Sequence, residues 1–569
     1  MKIIKLMKGL YKYVILMIVF SILQVFCELW LPNIMSDIVD IGISLGDKTY
    51  IINKCLIMVG ITLLGLISSI LVVYSTAKFS NKYGYNIRKS LYAKINSLSK
   101  KEIDEYGAST LITRSTNNVS NITSTFSFGL RLMIFAPVMG IGASIMGYKT
   151  APSLAPVVIV SVIILLIALL IIFASVFPKF EKAQKLLDEL NSKSREVLSG
   201  LRIIKAFNKT DFFKNRFDKV NKDNMKLNIF LNKLLFLIQP LMILTINIGT
   251  IVIIYLSTNY LSNKTLEIGS MMAFIQYEAT ILMSFLMLLV IILNIPRVIV
   301  SFKRINEIFE TNPCIDNKGN LEITNLESIE FSHVYFKYPD AKEYMLKDIN
   351  FRIEAKEKVG IIGSSGSGKT TIINLLLRHI DPSKGNILIN GINIKEYNLS
   401  SLRNIYSYAP QKSLLFKGTI KENLSFEKDY SSKEIEDVLK IACIDDFVSS
   451  NNEGYEYKIE QSATNLSGGQ KQRLTIARAL LNNGKILIFD DSFSAVDYIT
   501  DKKIRNGLKN KFGDSMQLIV TQRVSTIEDA DKIIVIDEGK IESIGNYGTL
   551  SKNSPIFKEF IASQRKEVK

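Results

Sequence analysis

The stretch GSSGSGKTT, Gly363–Thr371, follows a strand-like run, KVGII (358–362), and opens a helix-like one, TIINLLLRHI (371–380). Strand, glycine-rich loop and helix in that order fit the phosphate-binding pattern G-x-x-x-x-G-K-[ST]. The nucleotide-binding candidates are therefore Gly363, Ser364, Ser365, Gly366, Ser367, Gly368, Lys369, Thr370 and Thr371. The glycines let backbone N–H groups converge on phosphate oxygens, and the helix N-terminus adds positive potential. Lys369 is placed to reach the β- and γ-phosphates and Thr370 to ligate Mg²⁺.

A second stretch, KILIFDDSFSAVD (Lys485–Asp497), supplies the carboxylate such a site needs. Four apolar residues, Ile486–Phe489, run into Asp490 and Asp491. An apolar strand ending in a carboxylate delivers a metal ligand, here Asp490. The next residue is the one expected to handle the attacking water. It is Asp491, one methylene shorter than a glutamate.

Length and composition bound what surrounds this site. The chain has 569 residues, room for two or more domains, and is 48% hydrophobic yet 22% charged. Its mean hydropathy of +0.21 is high for a soluble protein, so an apolar half joined to a polar half is expected. The net charge of +17 suits either nucleic acid or the cytoplasmic loops of a membrane protein. The basic residues concentrate beside apolar runs, which argues against nucleic acid. The four cysteines, Cys27, Cys55, Cys314 and Cys443, have no CxxC or metal spacing, so no disulfide framework is expected. The two histidines are His333 and His379.

Six apolar segments fill the first half, at about 11–33, 52–75, 126–148, 154–177, 232–257 and 268–300. Each reaches the ~20 residues that a bilayer demands. Lys2, Lys5, Lys8 and Lys12 precede the first, which lacks a small-residue cleavage site and reads as a span rather than a signal peptide. The loops after the second and fourth segments are rich in Lys and Arg, whereas the connection after the first bears Asp37, Asp40 and Asp47. Positive loops stay inside, so a multi-pass protein of the inner or plasma membrane with both termini cytoplasmic is expected. The two long loops and the end of the sixth segment have helical periodicity and are expected to continue their spans as helices. From residue 311 a polar stretch with Pro313 and Gly319 reads as a linker. Beyond it KVGIIG, NILIN, ILIF, QLIVT and KIIVID alternate with helical runs, which predicts a largely parallel sheet.

NLSGGQKQRLTIARALL, Asn465–Leu481, resembles the signature segment of ATP-binding cassette (ABC) ATPases. With the two phosphate-site motifs and six spans, the chain resembles an ABC half-transporter of the exporter type over nearly its whole length. The resemblance implies an all-α transmembrane domain of six long helices over 1–310, a linker over 311–328, and an α/β P-loop cassette with a helical subdomain over 329–569. It implies ATP and Mg²⁺ as cofactors. Tyr338, in VYFKYPD, matches the aromatic stacked on adenine, with Tyr335 the weaker candidate. Gln411 matches the glutamine that senses Mg²⁺ and the γ-phosphate. Ser467, Gly468, Gly469 and Gln470 match the residues that contact ATP held by the opposite subunit, and Asp497 the loop that crosses between cassettes. Tyr106–Val119 and Glu196–Phe207 resemble the two segments that couple membrane helices to cassettes. A dimer of half-transporters in a lipid bilayer follows.

The resemblance breaks at the catalytic residues. Asp491 stands where the family usually has glutamate, Gln522 where it usually has histidine, and Gln461 where exporters often carry glutamate. Retracting a carboxylate by about 1.5 Å misplaces a water-orienting group, and errors near 1 Å can cost about a hundredfold. Glutamine can hydrogen-bond a phosphate oxygen but carries no imidazole proton. These changes resemble the degenerate-site subunit of a heterodimeric bacterial multidrug exporter, whose intact LSGGQ completes the partner's site. The cargo expected is a small amphiphile. Glu278, within the sixth span near Met271, Met272, Met283 and Met287, is the substrate candidate, since an intramembrane carboxylate is expensive. Pairing with a neighbouring helix or exposure to an aqueous cavity is the competing account of it. A homodimeric lipid or peptide exporter and a non-transporting ATP-binding regulator are the other functional readings.

Overall fold

A computed structural model describes residues 2–263, 265–339, 341–426 and 428–566. Contacts divide the chain into two compact units, Met1–Asn96 with Ala108–Thr311, and Ser97–Gly107 with Asn312–Lys569.

The first unit is helical: α1 (Tyr11–Asp37), α2 (Lys48–Asn96), then α4 (Val119–Thr150), α5 (Ala155–Ala206), α6 (Thr210–Phe236), α7 (Ile238–Ser262) and α8 (Ile268–Glu310). Among the described residues six helical stretches are long and apolar enough to cross a membrane. Leu63, Leu170 and Ile251 are exposed on them, as suits helices whose outer faces meet lipid. The 52-residue α5 and 49-residue α2 far exceed a bilayer, so the basic loops do continue the spans as helix. One expectation changes. Asp37 and Asp40 sit on helix, because α1 runs on into a π-helical stretch, Ile38–Ile43. Asp37 pairs with Lys54 at 2.6 Å. Asp40 accepts from the N–H groups of Gly269 (2.6 Å) and Ser270 (3.0 Å), satisfying donors that the first turn of α8 leaves free.

The second unit contains two larger sheets. One is antiparallel, in the order β2 (Leu346–Glu354), β1 (Ser328–Phe336), β4 (Lys384–Ile389), β5 (Ile392–Asn393). The other runs β10 (Lys540–Gly545), β9 (Lys532–Asp537), β3 (Lys358–Gly363), β8 (Met516–Thr521), β7 (Ile486–Asp490), β6 (Tyr406–Ala409). It is parallel throughout except for β10. NILIN thus belongs to the antiparallel sheet and not to the parallel one. Alternate residues of the central strands feed two cores: Ile519, Phe489 and Val535 on one side, Leu518, Ile488 and Ile534 on the other. Burial on both faces explains why these strands read as unbroken apolar runs. The first core also holds Leu424, Val438 and Val448, from the helices Ile420–Ser425, Ser432–Ile441 and Asp445–Ser450 respectively, which make up the helical subdomain. A short helix, α3 (Lys100–Tyr106), belongs to this unit through the linker. The buried Glu102 carboxylate accepts from Ser99 N–H (2.8 Å) and Cys314 N–H (3.2 Å), and Ser99 Oγ accepts from Ile315 N–H (3.0 Å).

Candidate active site

β3, buried along nearly its whole length, fixes where the phosphate loop begins. Gly366 and Gly368 then take φ of +82° and +105°, a region that side chains disfavour. A Cβ on Gly368 would meet Leu346 Cδ2 at 2.5 Å. The next helix, α9 (Lys369–Leu376), therefore starts with its N–H groups facing the loop. Lys369 is 9% exposed, and its Nζ donates to the carbonyls of Gly363 (2.8 Å) and Ser364 (2.7 Å). Burial pushes its ammonium below its usual range, opposed by the charges of Asp491 and Asp490.

β7 ends at Asp490, which is 2% exposed. Thr370 Oγ1 donates to Asp490 Oδ1 at 3.4 Å, while Oδ2 is buried without a protein partner. Burial, then the charge of Asp491, pushes Asp490 up to about 6. Asp491 turns the chain out of the sheet with φ +49°, its N–H donating to Val520 O at 2.8 Å. Its carboxylate accepts from Gln411 Nε2 at 3.5 Å, and burial raises it as well.

One cleft of about 220 Å³ brings together Ser365, Gly366, Gly368, Lys369, Thr370, Thr371, Gln411, Asp490, Asp491 and Gln522, with Met345 and Val520. Tyr338 lies beside it, its hydroxyl 3.3 Å from Thr371 Oγ1 and its ring partly exposed. Tyr335 packs instead against Tyr344. Gly363 and Ser364 lie behind the wall as acceptors for Lys369, and Ser367 is buried. Phosphate oxygens suit the lysine and the helix N-terminus. A buried carboxylate oxygen lacking a partner, next to a threonine hydroxyl, is a hard donor set that fits a small divalent cation.

Ser467, Gly468, Gly469 and Gln470 do not line this cleft. They open α10 (Gly468–Leu481) with a capping box. Gln470 N–H donates to Ser467 Oγ (3.3 Å) and Ser467 N–H to Gln470 Oε1 (2.8 Å). A Cβ on Gly468 would meet nothing within 4 Å, so this helix start is open. Asp497 caps the helix Tyr498–Phe512 through Thr500 N–H. Glu278 lies in the helical unit, on α8.

Three residues that the sequence reading missed hold the site. Gln472 donates to Asp491 O (3.2 Å) and accepts from Ala495 N–H (2.8 Å). Arg523 donates to the carbonyls of Phe493, Ser494 and Val496. Gln564 bonds Gln522 O and Val524 N–H. Nearness to a motif could have flagged Gln472 and Arg523, whereas nothing in the sequence marks Gln564, since its bonds are tertiary.

The ABC transporter transmembrane region profile matches residues 14–285, and the ABC transporter profile residues 346–494. An ABC transporter ATP-binding protein of Mycobacterium tuberculosis is 32% identical over 562 residues, 97% of this chain and 96% of its own length. Another, from Bacillus subtilis, is 30% identical and covers 94% of both chains. A solved bacterial Atm1-family ABC exporter with ATP bound shares the fold, with a TM-score of 0.82 at 24% identity over 98% of each chain. With six membrane-length helices followed on one polypeptide by a phosphate-loop cassette, the chain belongs to the ABC transporters, as a membrane-embedded half-transporter with the exporter fold and an ATPase cassette coupled to transport.

Proposed function

We propose that this half-transporter exports hydrophobic or amphiphilic small molecules as one half of a heterodimer, binding Mg-ATP at its own site and hydrolysing it poorly. The pairing of Asp491 with Gln522 across one cleft, in a chain whose signature helix start is intact, carries this reading. The ion would be held by Thr370 and Asp490 with Gln411 nearby, and when bound it neutralises charge on the phosphates. Tyr338 supplies the adenine platform, Lys369 and the loop N–H groups orient the phosphates, and Asp491 has the task of orienting water. Its carboxylate, drawn back by one methylene and already engaged by Gln411, does that badly. Ser467–Gln470, by contrast, present an open helix N-terminus to a phosphate held by the partner. ATP then draws the two cassettes together, and hydrolysis at the partner's site resets alternating access between two membrane states. Both termini and the cassette face the cytoplasm of the inner or plasma membrane.

A homodimer with slow turnover is the second reading, favoured by one observation. Gln522 faces the same cleft as Asp491, and glutamine positions water in other NTPases.

Substitutions in the intact complex separate the two. Blocking the signature with Ser467→Arg is expected to lower steady-state ATPase activity about a hundredfold, whereas Lys369→Ala lowers it less than about tenfold. Equal losses from the two changes would contradict the asymmetric reading.

A further inference from the structure

We propose that Glu278, Ser161 and Gly249 form a seat for a protonated amine whose apolar body lies in the cleft between α5 and α7, a substrate class that rests on the export reading above. Glu278 is wholly buried. Its Oε1 accepts from Ser161 Oγ at 3.2 Å, and its Oε2 has no partner. Among the described residues no lysine or arginine pairs with it. A carboxyl left in this way is met either by a proton or by a cation, because neither lipid nor apolar side chains replace the water its charged form has lost.

The backbone has made room for it. A Cβ at position 249 would sit 1.8 Å from Oε1, so any larger residue there on α7 would displace the carboxylate from this position. Gly249 and Ser161 also line an apolar cleft of about 360 Å³, with Val157, Val160, Leu244 and Ile248. The two residues touching the carboxylate are thus two residues of the cleft wall. Volumes of about 300–1,000 Å³ suit small-molecule ligands, and such sites orient an apolar body by few polar groups. An ammonium N–H satisfies the free oxygen through a charge-assisted hydrogen bond. A quaternary ammonium has no N–H, and an alcohol has no charge. The class is therefore apolar primary, secondary or tertiary amines.

The test uses the complex purified from its native membranes and placed in nanodiscs. Binding of 4-phenylbutylamine, its N,N,N-trimethyl analogue and 4-phenylbutanol is measured by calorimetry. The amine is expected to bind at least about tenfold more weakly to Glu278→Gln and to Gly249→Ala, as loss of one charge-assisted bond implies. The two analogues are expected to bind weakly to every form. Ser161→Ala, a smaller change for the fold, is expected to weaken the amine alone. Amine affinity unchanged in Ser161→Ala and in whichever other variants melt like the parent, or the alcohol binding as tightly as the amine, would overturn the seat. ATP-dependent uptake into inside-out vesicles separates the two claims. Glu278-dependent binding without any uptake would leave the seat and overturn the export reading, whereas amine uptake undiminished in Glu278→Gln would do the reverse.

Discussion

Asp491 carries the most consequential difference in the molecule, and it amounts to one methylene. Its position is set by the φ of +49° that turns the chain out of β7, and by Gln472 on its carbonyl. Its oxygens therefore cannot advance toward the phosphate loop without moving the strand end. Asp491→Glu alone is expected to leave turnover at this site low, while Asp491→Glu with Gln522→His raises it about tenfold or more, measured with the partner's site disabled. Full activity from the single change would show that Gln522 has no part in the defect. Lys369, Thr370, Asp490 and Asp491 were legible in the sequence because their spacing is local and each closes a strand or opens a helix. Gln472, Arg523 and Gln564 were not, because their partners are 19 or more residues away, and nothing in a run such as GGQKQR marks which glutamine will reach back.

Among the elements, α3 shows where sequence patterning stops. Residues 97–107 lie between two spans and read as part of the membrane half, yet hydrogen bonds tie them to the linker. Burial of Glu102 would raise its carboxyl, but bonds from Cys314 and Ser99 hold it below the usual range. Removing those bonds with Glu102→Ala should cost about 2 kcal/mol of local stability, seen as a roughly 30-fold loss of hydrogen-exchange protection in Lys100–Tyr106. No change there would mean that apolar packing alone holds the helix. The strands β1 and β2 went unread for a related reason. β1 and β2 alternate buried and exposed residues, a weaker signal than the apolar runs of β3, β7, β8 and β9. The spans were the easiest to read, extensions included, because helix continues past the bilayer wherever the charged loops keep a helical period. His379, at the end of the phosphate-loop helix, gives the cassette a pH response. Burial, with the charges of Arg403 and Lys100, pushes its imidazole down to about 4. The unfolded chain therefore takes up the proton first, and stability falls as pH drops from about 6.5 toward 4, by roughly 2–3 kcal/mol. Hydrogen exchange in α9 at stepped pH should show that loss, and His379→Gln should remove it; a pH response unchanged in the variant would assign it to other groups.

At the scale of the whole molecule, the charge of +17 and the apolar helices fit a membrane protein with basic loops. The signature helix has an open N-terminus that lies outside the chain's own phosphate cleft. In the proposed dimer each ATP site takes both pieces, one from each of two cassettes. With the poor hydrolysis proposed for the Asp491–Gln522 site, the unit stays active only if the second cassette differs. The most direct measurement is native mass spectrometry of the tagged chain, gently extracted from its own membranes, with ATPase activity measured on the same fraction. A second, different half-transporter at equal stoichiometry is expected. A dimer of this chain alone that hydrolyses ATP at an ordinary rate would contradict it.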